Sequence, residues 1–369
     1  MKQPPGKLGI REFIAIGILM VGMKATEDTP AIIYQHVQNA SWMIPILSAG
    51  IFSVPLFLLL KTMSLYHEKN LFAVIQTLFG KYIGFFVCLG IFLISSLTIS
   101  IDTRTYTNII RTFYFTTTPN LVIYALLMAV CAYGAKKGIH HVGSAAYLIV
   151  YYTLAALYLA LLLSTQDTTI QSIFPILGPG PFEIIKQSTL KMTLFGDFFL
   201  LTLILPNVKS SRGFRKGTWI ALVFISLQSC IILLTYICLF DTSLGSNGYP
   251  FHATIRYLSL GIYLPNIEIF FFVIWILSAF IRFTAFLYIN ALMFGNLFKI
   301  KDFEYLIPAL ATVYLLIGSI PEAPIDVSKN YKALMLNSTG SFYAGIAILL
   351  WLTALLKGEF KDEKSKNSV

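Results

Sequence analysis

Three ionisable side chains interrupt the first apolar run of this chain. The stretch LGIREFIAIGILMVGMKATEDTPAIIYQHVQNAS is apolar as far as Val21, then presents Gly22, Met23, Lys24, Ala25, Thr26, Glu27 and Asp28 ahead of Pro30. A charge midway through a bilayer-spanning helix costs about 2.5–3.5 kcal/mol. Pro30 withholds a backbone donor, and Gly22 tolerates unusual dihedrals. A helix that breaks here and faces a wet cavity lowers the cost. A second interruption lies in KQSTLKMTLFGDFFLLTLILPNVKSS, where Thr193 and Phe195 lead into Gly196 and Asp197. Broken backbone presents N–H groups at one half-helix end and carbonyls at the other. The first attracts a carboxylate and the second an ammonium, so a zwitterionic amino acid matches the pair. Lys24 would attract the ligand carboxylate or hold Asp197. Ser96 and Ser100, with Ser278 further along, would add side walls.

Plainer readings compete at each position. Lys24 could snorkel to the membrane surface, or pair locally with Glu27 and Asp28 at i+3 and i+4. Asp197 could serve as a hydrogen-bond partner for a neighbouring helix. Arg282, in AFIRFTAF, pairs with a carboxylate or sits near the inner rim. The serines could equally permit close helix packing.

Other chemistry has no sequence support. GPGP at 178–181 is a proline turn, not a phosphate-cradling loop, and no HExxH occurs. His140 and His141 lie beside Lys136 and Lys137 on a basic face. Cys88, Cys131, Cys230 and Cys238 sit in apolar stretches without a CxxC. No catalytic residue, metal site, cofactor or nucleic-acid partner is expected, so the chain is not expected to be an enzyme.

The elements that must position the two interruptions follow from composition. Of 369 residues, 57% are hydrophobic and only 12% charged, whereas a soluble domain carries about 25% charged residues. A span needs about 20 mainly apolar residues. Ten candidates lie near 10–37, 42–61, 82–101, 119–134, 143–164, 190–206, 217–240, 268–293, 304–320 and 341–356; the fourth is short and the ninth marginal. Backbone in lipid must bond to itself, so these are helices. With the N-terminus inside, most Lys and Arg fall on inner connections. The outer side holds Arg104, Arg111, Lys186, Lys191, Arg256, Lys329 and Lys332, which predicts both termini in the cytoplasm. The longer outer connections, among them PEAPIDVSKNYKALMLNSTG, are expected to carry short surface helices. The sequons at Asn39 and Asn337 fall on that side.

The interrupted spans are first and sixth of ten, the same place in two halves of five. Five is odd, so the second half enters from the opposite side and the repeat is inverted; paired interruptions of this kind point to a transporter-like site. The expected organisation is one membrane domain over 1–369: a first five-helix repeat at 1–165, a second at 185–357, and a cytoplasmic tail at 358–369.

The chain resembles the B subunits of spore nutrient germinant receptors, within the amino acid–polyamine–organocation transporter superfamily. The likeness rests on length, ten spans, the opening LGIREFIAIGILMVG, the approach QNASWMIPILSAGIF with Trp42 and Ala49-Gly50, and NVKSSRG after Pro206. Such subunits usually carry small apolar residues at the first break, where this chain has Lys24, Glu27 and Asp28. The resemblance implies a LeuT-type all-α fold with broken first and sixth helices. It implies a small nutrient, an amino acid or similar, bound in a transporter-like pocket of the spore inner membrane. It also implies an A subunit and a C subunit lipoprotein as partners. A proton-coupled amino acid transporter is the first alternative, and a structural assembly subunit with a vestigial pocket the second.

Overall fold

The computed structural model describes residues 7–66, 69–258 and 267–360. Seven stretches among them are long and apolar enough to cross a membrane, and two shorter apolar helices, Asn120–Lys136 and Phe303–Gly318, stand at the fourth and ninth positions. No strand occurs among the described residues beyond an isolated bridge between Leu8 and Val208.

The first span is α1 (Ile10–Gly22), a 3-10 turn at Met23–Thr26, and α2 (Thr29–Val37). The 13 residues of α1 reach only about 20 Å, against an apolar core of about 30 Å. The crossing is completed by α2, and the break therefore falls inside the membrane. Pro30 occupies the first turn of α2, where its missing N–H costs nothing. Next come α3 (Ile44–Met63) and a short helix, α4 (Leu71–Phe79), capped by the Asn70 side chain. Then follow α5 (Lys81–Phe113), α6 (Asn120–Lys136) and α7 (Ile139–Ser164).

The second half repeats the plan. The sixth span is α8 (Pro181–Leu190), a 3-10 segment at Lys191–Phe195, α9 (Asp197–Leu201) and a 3-10 end at Thr202–Asn207. After it come α10 (Ser211–Phe240), α11 (Pro250–Tyr257), α12 (Ile267–Phe298) and α13 (Ile307–Gly318). The last crossing joins α14 (Pro324–Asp326), a π-helical segment at Val327–Lys332, and α15 (Ala333–Leu356). The third and eighth spans, α5 and α12, are the longest helices, at 33 and 32 residues, and each precedes a short one. That pairing of lengths is the internal repeat made visible.

Several boundaries differ from the sequence reading. The third span runs on to Phe113 because its polar end is buried: Asp102, Arg104 and Asn108 are all shielded. The sixth span begins at Pro181, well before the apolar run, because the polar helix α8 forms its N-terminal half. PEAPIDVSKNYKALMLNSTG is not a loop with surface helices but, from Pro324, the N-terminal part of the tenth span. Its Ser, Lys and Asn content hides it from a hydropathy reading. Arg104, Lys191 and Lys332, expected in outer connections, are buried on helices. Asn337, the second sequon, lies in α15 and accepts a hydrogen bond from Lys191. Residues 1–6 and the tail from 361 to 369 lie outside the described residues.

Apolar side chains such as Phe86, Leu126, Leu162 and Leu349 cover the outside of the bundle. With no polar surface to replace them, lipid is the solvent that fits. The start of the first span is tied to the end of the sixth by Leu8 N–H to Asn207 O (2.8 Å) and Lys209 N–H to Leu8 O (2.9 Å). The α1 helix lies against α7, α10 and α12, while the 3-10 segment of the sixth span lies against α3 and α15.

Candidate functional site

At the first break the backbone leaves the helix at Glu27, whose φ and ψ are −113° and −144°. Freed groups find local partners. The Thr26 hydroxyl donates to Met23 O (2.8 Å), and Trp275 Nε1 donates to Thr26 Oγ1 (3.1 Å). Trp275 stacks on Tyr106, ring centroids 4.8 Å apart. At the second break the chain tightens to 3-10 geometry rather than unwinding. Gly340 lets α15 pass there: its N–H donates to Thr193 Oγ1 (2.7 Å), and a Cβ on it would collide with the Thr193 backbone.

The two breaks meet through Lys24. Its ammonium donates to Thr193 O (3.0 Å) and Leu194 O (3.4 Å) and lies 2.8 Å from Asp197 Oδ2. The carbonyl end of the broken sixth span is thus occupied by a cation belonging to the first span. Both side chains are more than nine-tenths buried, so the pair is held in a low-dielectric setting where breaking it is costly.

Glu27 and Asp28 do not pair with Lys24. Lys332 Nζ lies 2.7 Å from Asp28 Oδ1, 2.9 Å from Glu27 Oε2 and 3.7 Å from Asp102 Oδ1. Arg282 pairs with Asp102, sits 3.6 Å from Glu27 Oε2, and donates to Tyr106 OH (3.0 Å). The sequence reading of Arg282 as a partner for a carboxylate is what the structure has; the inner-rim alternative is not. In this second cluster two cations face three carboxylates, all of them buried. Asp28 Oδ2 has no hydrogen-bond partner. One negative charge is left over, and a proton or a ligand cation would balance it.

Space around the breaks is small. A cavity of about 30 Å³ lies beside Gly22, Met23, Thr26 and Trp275, and a second of about 10 Å³ beside Lys24, Ala25, Pro30 and Phe195. These admit a few water molecules at most. The α11 helix closes over the first cavity, with Phe251 in its wall. Its His252 is fully buried against Trp275 and bonded to Tyr114 OH (3.0 Å). Burial pushes the His252 imidazole down to about 3, so it is neutral at physiological pH.

A family model described as spore germination protein matches residues 10–327. The chain belongs to the spore germination protein family. It is 26% identical over 205 residues to spore germination protein KB of Bacillus subtilis (strain 168), covering 54% of this chain and 55% of that protein. To spore germination protein B2 of the same organism it is 21% identical over 238 residues, 64% of this chain and 65% of that one. The matches thus span about half to two thirds of these curated relatives. Among solved structures, Mhp1, a nucleobase-cation-symport-1 family transporter, in a closed conformation with bromovinylhydantoin bound, superposes with a TM-score of 0.66 at 15% identity. That covers 94% of this chain and 78% of Mhp1. MhsT in complex with L-phenylalanine gives 0.65 at 13% identity, covering 95% and 100%. The inward-facing form of Mhp1 gives 0.58 at 16% identity, covering 92% and 77%. At such identities the likeness is one of fold: ten spans in an inverted five-plus-five arrangement with broken first and sixth helices. This spore germination protein is therefore a multi-pass membrane protein that shares the fold of Mhp1 and MhsT.

The expected site residues fall into three groups in this family member. Gly22, Met23, Lys24, Ala25, Thr26, Thr193, Phe195, Gly196 and Asp197 gather at the two breaks. Gly196 packs against Tyr343, which would stand 3.3 Å from an added Cβ. Ser96 and Ser100 belong to a separate polar seam. Ser96 Oγ bonds Tyr314 OH (3.1 Å), Ser100 Oγ bonds Ser96 O (2.8 Å), and Tyr124 OH bonds Ser100 O (3.0 Å). Ser278 Oγ meets Thr153 Oγ1 (2.5 Å) and its own helix backbone. Asp102, Tyr106, Trp275 and Lys332 join the site although sequence reasoning does not single them out. Asp102 and Arg282 carry one usable signal, as opposite charges on the corresponding third and eighth spans. Lys332 carries none, because a π-helical segment turns it inward.

Proposed function

We propose that this protein is the membrane subunit of a spore germinant receptor and senses a small nutrient between its two broken helices. The ligand, an amino acid or similar molecule, would place its ammonium at Thr193 O, Leu194 O and Asp197. Lys24 holds that position in the resting state. Binding would displace Lys24, open the gap now limited to two small cavities, and shift the helix bundle toward a second state. The shift is bounded by the ligand's differential affinity for the two states. Residues 1–165 and 185–357 would be the two halves that rock. The signal would pass to an A subunit and a C subunit lipoprotein in the spore inner membrane, with both termini cytoplasmic. Burial of Arg104, Lys191 and Lys332 removes three of the outer-side cations and so supports that orientation.

The observation that carries this reading is the Lys24 ammonium on the carbonyls of the sixth span. Spores whose sole receptor carries Asp197→Asn test it. Germination should need roughly tenfold more nutrient, the effect of losing about 1.4 kcal/mol of ligand contact, while calcium dipicolinate-triggered germination proceeds normally. Unchanged nutrient sensitivity would remove this site from consideration.

One observation favours a second reading, a proton-coupled amino acid transporter. The excess carboxylate among Glu27, Asp28 and Asp102 is the kind of group that carries a coupling proton. Uptake of labelled amino acids into proteoliposomes separates the two. Accumulation driven by a pH gradient through this chain alone favours transport; ligand binding without uptake favours sensing. Assembly with partner subunits and no ligand effect would leave a scaffold.

A further inference from the structure

We infer that a groove between the adjoining ends of α3 and α10 binds the headgroup of an anionic phospholipid. Lys61 from the end of α3 and Arg212, Arg215 and Lys216 from the start of α10 line a depression of about 460 Å³. All four side chains are exposed. Among the described residues no carboxylate forms an ion pair with any of them. The first turn of α10 has no acidic residue, so three cations crowd the positive end of its dipole without compensation. An anion in the groove supplies that compensation.

The apolar half of the groove decides which anion. Phe57 stands one helical turn from Lys61, and Trp219 one turn from Arg215, both toward the middle of their helices. Phe57 is 53% exposed, so its ring is available to lipid. Lys61 and Arg215 thus each lie about one helical turn, about 5.4 Å along the axis, from an aromatic residue, and the groove is cationic at the rim and apolar below. A phospholipid has that profile, with phosphate above and glycerol and acyl chain beneath. A free phosphate has no use for the aromatic floor. Basic grooves between spans, at the level of an aromatic belt, suit anionic headgroups on general electrostatic grounds.

The test uses the full chain, purified in a neutral detergent and titrated with phosphatidylglycerol or phosphatidylcholine of the same acyl chains. Native mass spectrometry counts bound lipid. The comparison variants are Arg212→Gln/Arg215→Gln/Lys216→Gln, and Lys136→Gln/Lys137→Gln on another basic connection. Each charge near an anionic headgroup is worth about fivefold in binding. The unmodified chain should therefore hold phosphatidylglycerol over phosphatidylcholine. The triple variant should lose about a hundredfold, and the Lys136/Lys137 variant should keep its affinity. Thermal midpoints in detergent without lipid should be no lower in the variants than in the unmodified chain, which keeps a folding defect apart from a binding one. Equal loss in both variants would reduce the effect to general surface attraction and overturn the site. So would full competition by millimolar inorganic phosphate. A chain cut after Phe360 that binds lipid when the full chain does not would make the C-terminal tail the occupant, and would also overturn it.

Discussion

Replacing Lys24 by Met probes the contact on which the sensing proposal rests. The change keeps the length of the side chain and deletes the ammonium. Asp197 then lies buried without its 2.8 Å partner, and the carbonyls of Thr193 and Leu194 lose a donor. Removing one member of a buried ion pair costs about 3–5 kcal/mol, whereas replacing both members by apolar groups is often neutral or better. Lys24→Met alone should therefore destabilise the bundle by about 3–5 kcal/mol. Asp197→Leu alone should cost a similar amount. The double variant should recover most of the loss, leaving a coupling of about 3 kcal/mol or more between the two positions. With an unfolding entropy of about 2 cal/mol/K per residue, each single change lowers the melting temperature by about 4–6 °C. The assay is thermal unfolding of the four proteins in one detergent. Simple additivity, with the double variant losing about 6–10 kcal/mol, would mean that Lys24 and Asp197 do not interact and that the breaks are joined by something else.

Within the second cluster, Asp28→Asn should be better tolerated than Asp102→Asn. Asp28 meets one cation and belongs to a group already one negative charge in excess, whereas Asp102 holds both Arg282 and Lys332; melting temperatures of the two variants check the order. Gly340→Ala should disrupt the crossing of α15 over Thr193, because the added methyl collides with backbone that cannot give way. A drop in folded yield of severalfold is expected, read by size-exclusion chromatography. The α11 cover should loosen in mild acid. His252 is held down at about 3 when buried and returns to about 6.5 when exposed. The stability it lends is complete above about pH 6.5 and falls as pH drops from there toward about 3. Hydrogen exchange across α11 should show opening increased about tenfold at about pH 5.5 relative to about pH 7.5, after correction for intrinsic rates. His252→Gln should abolish that dependence.

How much of this can be read from the sequence varies with the physics involved. Ten spans are legible because hydrocarbon demands long apolar helices. The breaks are legible because a charge or a proline inside such a run is costly unless the helix opens there. Charged helix ends are not legible. Lys332, Arg104 and Lys191 read as loop residues because hydropathy averages over a window and ignores partners. Asp28 and Glu27 beside Lys332, and Asn337 beside Lys191, are long-range pairings that no local pattern announces. The serines are ambiguous for a different reason. Small polar residues suit a cavity wall and a tight helix contact equally, and Ser96 and Ser100 occupy a seam with Tyr314 and Tyr124.

A pair of cryo-electron microscopy structures of the receptor, with and without its nutrient, tests the central claim most directly. Without nutrient, the Lys24 ammonium should rest on Thr193 O and Leu194 O as it does here. With nutrient, it should have swung away, leaving a ligand cation in its place beside Asp197. A bound nutrient lodged elsewhere with Lys24 unmoved, or first and sixth helices running unbroken past Met23 and Gly196, would contradict the account.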